Sequence, residues 1–245
     1  MGYYILMNDF WENQLEPGYY DKILTKGKQR NSGIQSNWHN LTFQKISAYL
    51  EKDDVHIDYA CGPGSFIGLY SNSKSIGLDI SMKQINYAKK VYGEKAEFFH
   101  IDKFNYKKFE KKVDLITVIG LLEFMNEQDS IKLINKLKLL LKPNGKIILT
   151  TPNYGGFMNV LEKLVNLFGN VNYTNQHINR LSKSKARNLI NKSKFMNFSI
   201  YKIINIGISF SIFSHQIGTF FEKLIEKLFN NFFGFILFIE LKNDQ

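Results

Sequence analysis

The stretch Val55-His-Ile-Asp-Tyr-Ala-Cys-Gly-Pro-Gly-Ser-Phe-Ile-Gly68 constrains the fold more than any other part of this 245-residue chain. Val55 to Tyr59 reads as a short strand, residues 60–64 as a tight turn, and Ser65 to Tyr70 as an apolar, helix-compatible run. Small residues in such a turn let the backbone approach a ligand where a Cβ would collide. A strand that turns directly into a helix also presents unpaired N–H groups at the helix start. In an open α/β sheet this junction, beyond the carboxyl ends of the strands, is where nucleotide-like ligands bind. Asp58 adds a carboxylate just before the turn.

The turn is not a phosphate cradle, because it lacks the Gly-Lys-Ser/Thr ending of a P-loop. Gly62, Gly64 and Gly68 also miss the G-x-G-x-x-G spacing of a dinucleotide fingerprint, which disfavours a nicotinamide dehydrogenase. An ordinary βα turn would leave the rest of the chain without order around it, yet the rest alternates strand and helix. Ser75 to Ile80 is the second strand and carries Asp79; Ser81 and Gln84 follow at capping-box spacing. Ala96 to Ile101 is the third strand, with Asp102 after it, and a short helix is expected over 104–110. Val113 to Ile119 is nearly unbroken apolar, as a strand buried on both faces must be. A helix over 127–142, capped by Asn126, places Ile131, Ile134, Leu137 and Leu141 at three- and four-residue steps. Pro143-Asn144-Gly145 reads as a turn into a fifth strand, Lys146 to Thr151. This alternation predicts an α/β chain with a parallel sheet and helices on both faces.

Beyond Pro152 the rhythm changes. Helices are expected over 156–169 and 182–194, a strand over 198–205, and a final strand over 235–241. The insert at about 206–233 holds an amphipathic helix, Gln216 to Phe229. Phe220, Phe221, Leu224, Ile225 and Leu228 lie on one side of it, and Glu222, Lys223, Glu226 and Lys227 on the other. Such a helix packs on the core or lines a pocket; an interfacial membrane helix is the alternative, weakened by its balanced charge. At the other end, Ser36 or Asn37 is placed to cap a helix carrying Leu41, Phe43 and Ile46.

Asp58-Tyr-Ala-Cys-Gly-Pro-Gly64 resembles motif I of class I S-adenosylmethionine (SAM)-dependent methyltransferases, acidic-x-Gly-x-Gly-x-Gly, with Ala60 in the place of the first glycine. Gly77-Leu-Asp79-Ile-Ser81 is similar to motif II, and His100-Ile-Asp102 to the third acidic strand end. Val113 to Phe124 resembles the motif after strand four, and Leu141 to Lys146 through Asn153 the motif around strand five. The motifs run in the family's order from about 38 to 204, with the final strand in register after an insert.

The resemblance implies a Rossmann-like, seven-stranded, mostly parallel sheet of order 3-2-1-4-5-7-6 with its last strand antiparallel. It implies an N-terminal helical segment, 1–52, closing over the cofactor, and a methyltransferase domain, 53–245. SAM is the implied cofactor. Asp58, Ala60, Gly62 and Gly64 would form the methionine side; Asp79 would accept both ribose hydroxyls, which a carboxylate can do at once. Ile80, Asp102, Ile119 and Glu123 complete the cofactor candidates, Asp102 standing where the adenine amino group would be read. Ubiquinone-type members commonly show Glu-His after strand four; here the pair is Glu123-Phe124, so no metal is expected.

Methyl transfer to oxygen needs alignment and a proton acceptor. Of the five histidines, His56 and His100 lie in strands and read as structural, and nothing recommends His215. His177 and His39 are the candidate bases, and Trp38, Asn153 and Arg180 the substrate-side candidates. The net charge of +10 suits an anionic partner, although the lysines are scattered. A nucleic-acid methyltransferase is therefore an alternative, but residues 120–123 are Gly-Leu-Leu-Glu and not the Asn/Asp-Pro-Pro-Tyr/Phe of enzymes acting on flipped bases. A SAM-binding regulatory subunit without activity is another. The leading expectation is methyl transfer to a small-molecule, lipid or glycan acceptor. A single cysteine and a start without a basic n-region point to a cytoplasmic setting, with peripheral membrane contact left open.

Overall fold

The computed structural model describes residues 10–168 and 176–244, the side chains of Phe10 and of 164–168 excepted. Most of the opening stretch read for a leader, the helix end expected at 169, and Asn175 lie outside the described residues. The elements in chain order are α1 (Tyr19–Arg30), α2 (Ile34–Ser47), β1 (Val55–Tyr59), α3 (Ser65–Tyr70), β2 (Lys74–Asp79), α4 (Met82–Tyr92), β3 (Glu97–His100), β4 (Val113–Ile119), α5 (Glu127–Lys138), β5 (Leu141–Pro152), α6 (Met158–Phe168), α7 (Lys183–Asn191), β6 (Asn197–Ile203), α8 (His215–Phe229) and β7 (Ile236–Lys242).

The seven strands form one sheet in the order β3-β2-β1-β4-β5-β7-β6. β1 to β5 pair in parallel, and β7 runs antiparallel to both β5 and β6. Alternation along the central strands sorts side chains into two cores. Ile116 and Val118 of β4, with Ile147 and Leu149 of β5, pack under α5 and α7. Leu115 and Ile148 from the same strands face α1 and α2, where they meet Leu24, Phe43 and Ile46. This double burial is why β4 carries no polar alternation. The expected turn at 143–145 is instead an irregularity within β5: Val113 pairs with Leu141 and Leu115 with Lys146, and Asn144 takes φ 65°. Over 104–110 the chain forms only a 3₁₀ turn, Tyr106–Phe109.

Two helix starts follow the sequence reading. Asn126 Oδ1 accepts the N–H of Asp129 at 2.9 Å, and Ser81 Oγ that of Gln84 at 3.3 Å. The reciprocal half of a capping box is absent, because the Gln84 side chain turns to the N-terminal segment, accepting from Gly18 N and donating to the Glu16 carbonyl. Ser36 and Asn37 are not caps. α2 begins at Ile34 after Gly33, and both side chains are buried against the insert. Ser36 Oγ meets His215 Nε2 at 2.8 Å, and Asn37 Nδ2 donates to Ser211 Oγ at 2.9 Å. Thus α2 and the insert form one layer, joined by polar bonds.

Candidate active site

The cavity lies at the carboxyl ends of β1, β2 and β4, roofed by the N-terminal segment. Its volume is about 570 Å³, within the range of about 300–1,000 Å³ usual for small-molecule sites. Its lining combines an acidic, backbone-rich group, Asp58, Ala60, Gly62, Asp79 and Gln84, with an apolar and aromatic one that includes Tyr20, Trp38, Phe43, Met158, Phe235 and Ile208.

The turn after β1 bends through three left-handed residues, Ala60 (φ 64°), Gly62 (φ 52°) and Gly64 (φ 78°). A Cβ built on Gly62 meets nothing within 4 Å, so the glycine leaves room on the cavity side. A Cβ on Gly64 would come within 2.8 Å of Phe98, so Gly64 serves packing behind the turn, and it does not line the cavity. Asp79, at the end of β2, accepts the N–H of Gly62 on Oδ2 and that of Ser81 on Oδ1, each at 2.8 Å. Its burial pushes the carboxyl above its ordinary range, and these backbone donors oppose the shift. The carboxylate retains lone pairs beyond those two bonds.

Asp58 is buried within β1, and burial pushes its carboxyl up to about 7 against the bond from Thr117. Thr117 Oγ1 donates to Asp58 Oδ1 at 2.6 Å. Thr117 Oγ1 is then free to accept from His56 Nε2 at 2.9 Å, and His56 Nδ1 from Ser75 Oγ at 2.8 Å. This order requires a neutral His56, and burial holds its pKa near 3. His56 is therefore structural, as its strand position suggested, and it orients the residue that bonds Asp58.

Glu123, also on the cavity wall, is buried with its carboxyl raised by burial to about 7, while Thr151 Oγ1 donates to it at 3.1 Å. The Glu123 carbonyl accepts the N–H groups of Ile178 and Asn179. These bonds bring His177 beside Phe124, with ring centroids 4.9 Å apart, and His177 lines the cavity. His177 Nδ1 is 2.8 Å from Glu162 Oε2 and 2.8 Å from Tyr154 Oη, and Tyr154 also bonds Glu162. A carboxylate only accepts, so both neighbours donate to Glu162, which leaves the lone pair of His177 on Nε2. Burial lowers the His177 pKa, and Glu162 offsets part of the shift. Burial acts to raise Glu162, but its bonds from His177 and Tyr154 outweigh it and hold the carboxyl below its ordinary value.

The structure thus brings together Asp58, Ala60, Gly62, Asp79, Ile80, Ile119, Glu123, Trp38, His39 and His177 around one cavity. Others fall elsewhere. Asp102 does not reach it: β3 ends at His100, a 3₁₀ turn over Ile101–Lys103 leads away, and the Asp102 side chain is 80% exposed beside His100 Nδ1. Arg180 turns to Glu162 Oε1 at 2.8 Å and Asn159. Asn153 is buried and donates to the Gly234 carbonyl, joining β5 to the chain before β7. His39 faces Tyr20 and Phe43, and burial lowers its pKa to about 4, making it a weak proton acceptor. Trp11, Leu15, Tyr20 and Glu162 belong to the site or its support without having been singled out in the sequence. Glu162 falls in the helix expected over 156–169, where a single acid reads as surface.

The N-terminal roof is pinned to α4. Tyr87 and Tyr92 donate to the two oxygens of buried Asp21 at 2.9 and 2.6 Å, and Met82 N donates to Glu12.

A family model described as a methyltransferase domain matches residues 33–199. An uncharacterized protein of Methanocaldococcus jannaschii is 28% identical over 151 residues, 59% of this chain and 59% of that protein. The match therefore spans less than two thirds of that relative's length. Among solved structures, a SAM-dependent methyltransferase of Archaeoglobus fulgidus superposes with a TM-score of 0.58 at 16% identity, covering 90% of this chain and 99% of the other. Magnesium protoporphyrin IX methyltransferase of Synechocystis, with bound SAH, gives 0.61 at 15% identity over 98% and 99%. Geranyl diphosphate C-methyltransferase of Streptomyces coelicolor gives 0.62 at 12% identity over 99% and 98%.

Proposed function

The chain belongs to the methyltransferase domain family, with the class I fold, and on that premise we propose that it transfers a methyl group from SAM to an apolar small molecule or lipid, at oxygen. The observation that carries this reading is the pair Asp58 and Asp79, lining a cavity whose walls are mostly apolar. Solved structures of this fold include proteins described with SAM, with SAH, and with geranyl diphosphate or a porphyrin as substrate. The aromatic lining favours an acceptor of that apolar kind over a glycan, and the described lining residues include no lysine or arginine to meet a nucleic acid.

In this reading Asp79 accepts the ribose hydroxyls, Asp58 faces the methionine ammonium, and the open side of Gly62 admits the methionine portion. Ile80 and Ile119 supply apolar wall, and the N-terminal segment acts as the lid. The cofactor supplies an activated methyl on a sulfonium. The acceptor oxygen forms its bond to that carbon as the carbon–sulfur bond breaks, and the electron pair stays on sulfur as a neutral thioether. His177 takes the acceptor's proton on Nε2, and Glu162, bonded at Nδ1, positions the ring and stabilises the charge it gains. Trp38 lines the acceptor end.

The test is incubation with methyl-labelled SAM and a lysate separated into lipid, small-molecule, glycan and RNA fractions. Label in an organic-soluble product, released by treatments that cleave methyl esters or retained as an ether, supports the reading. Label confined to RNA or glycan, or no SAM binding by calorimetry, overturns it.

A further inference from the structure

Helix α8 is turned inside out. Its buried residues are His215, Gly218 and Glu222, whereas Ile217, Phe220, Leu224 and Leu228, at four- and three-residue steps, form a stripe that faces outward. Phe220 is 62% and Leu228 64% exposed, and Phe213, just ahead of the helix, 72%. The inward face is small and polar for a steric reason. The helix lies against the 3₁₀ segment Ile206–Ile212, where a Cβ on Gly207 would meet Glu222 N at 2.5 Å and one on Gly218 would meet Ser211 Oγ at 1.8 Å. Asn205, Ser36 and Asn37 then bond to that inward face. The apolar stripe is thus left out of the core by close glycine packing, not by a lack of packing.

The same rotation sorts the charges. In sequence, two acids and two lysines balance; in the fold they separate. Glu222 is buried, with Oε1 accepting from Asn205 at 3.2 Å. Glu226 is held by Lys45 at 3.4 Å and by Asn231 at 2.7 Å. Lys223 and Lys227 are exposed beside the stripe. Outward, the helix is therefore apolar and cationic. Ahead of the helix, Ile206, 56% exposed, lines the cavity, and the exposed Ile212 and Phe213 follow it in the chain.

We propose that this outward face of α8 and the segment before it docks on an anionic lipid bilayer, with Phe213, Ile217, Phe220, Leu224 and Leu228 in the acyl boundary and Lys223 and Lys227 at the headgroups. An aromatic stripe flanked by lysines is the composition that partitions into an interface and is held there by anionic lipid. No described helix is long and apolar enough to cross a membrane, so this one lies along the surface. Delivery of a bilayer acceptor into the cavity would rest on the proposed methyl transfer; the docking rests on the exposed face alone.

The experiment is co-sedimentation of the full chain with phosphatidylcholine vesicles and with mixed phosphatidylcholine–phosphatidylglycerol vesicles. The protein is expected on the mixed vesicles, weakly on the neutral ones, with release by added salt. Lys223→Gln/Lys227→Gln should weaken binding roughly thirtyfold, and Phe220→Ser/Leu224→Ser by at least about tenfold. Both variants should keep the parent circular dichroism and SAM affinity, since neither touches the cavity. Absence of the parent protein from mixed vesicles overturns the proposal, as does unchanged binding of the serine variant. A concentration-dependent dimer that the serine variant abolishes, without vesicle binding, assigns the face to a second copy and also overturns it.

Discussion

Gly62 donates its backbone N–H to Asp79 Oδ2 at 2.8 Å, so the turn after β1 and the end of β2 are a single hydrogen-bonded unit. The residue proposed to bind ribose is also the residue that holds the turn open. Replacing Asp79 with Ala removes the ribose acceptor and strands two backbone donors. SAM affinity should fall by roughly tenfold to a hundredfold, with a smaller loss of thermal stability. Calorimetry giving the parent affinity would reject the ribose assignment.

Ala60 sits at φ 64° where the family pattern has glycine. A left-handed alanine costs about 1–2 kcal/mol, and the greater freedom of an unfolded glycine returns about 0.5–1 kcal/mol of that. Ala60→Gly should therefore stabilise the protein by up to about 1.5 kcal/mol, seen as a higher midpoint in urea. A lower midpoint would mean that the methyl group packs usefully in the cavity wall.

Asp58 is raised from 3.8 to about 7 chiefly by burial. The folded state therefore binds a proton that the unfolded state has released, and stability falls as pH rises from the unfolded value to about 7. The contribution is intact below the lower value and lost above the upper. Asp58→Asn keeps the acceptor for Thr117 and should reduce this fall; Glu123, also near 7, accounts for part of what remains. Binding of a cationic ammonium favours the ionised carboxylate, so SAM affinity should rise with pH up to about 7, and do so less in Asp58→Asn. Thermal melts and calorimetry across that range check both signs.

His177→Ala should lower kcat by on the order of a hundredfold or more while SAM affinity stays near the parent value. Equal turnover would remove it as the base. Glu162→Gln takes away the carboxylate that raises the His177 pKa, so the acid limb of the kcat profile should move to lower pH. A reduced rate with an unmoved limb would mark Glu162 as merely structural.

The two ends of this protein differ in how far the residues announce their roles. Val55 to Gly68 and Asp79 could be read directly, because a strand, a glycine turn and a strand-end carboxylate depend on near neighbours and on strand order. The buried strand Val113–Ile119 and the Asn126 and Ser81 helix starts are local in the same way. Asp102 looked equivalent to Asp79, but its position depends on how the chain leaves β3, and a 3₁₀ turn carries it into solvent. His177 could be noticed, but its partners Glu162 and Tyr154 come from other elements, and the segment is held beside them by the bonds of 178 and 179 to the Glu123 carbonyl and of Tyr154 N to the Leu181 carbonyl. The rotation of α8 was the least legible. Its amphipathic pattern fixes that one face is apolar, not which way that face points. That was decided by Gly207, Gly218, Ser36 and Asn37, whose small and polar contacts let the helix backbone come close and turn its phenylalanines outward.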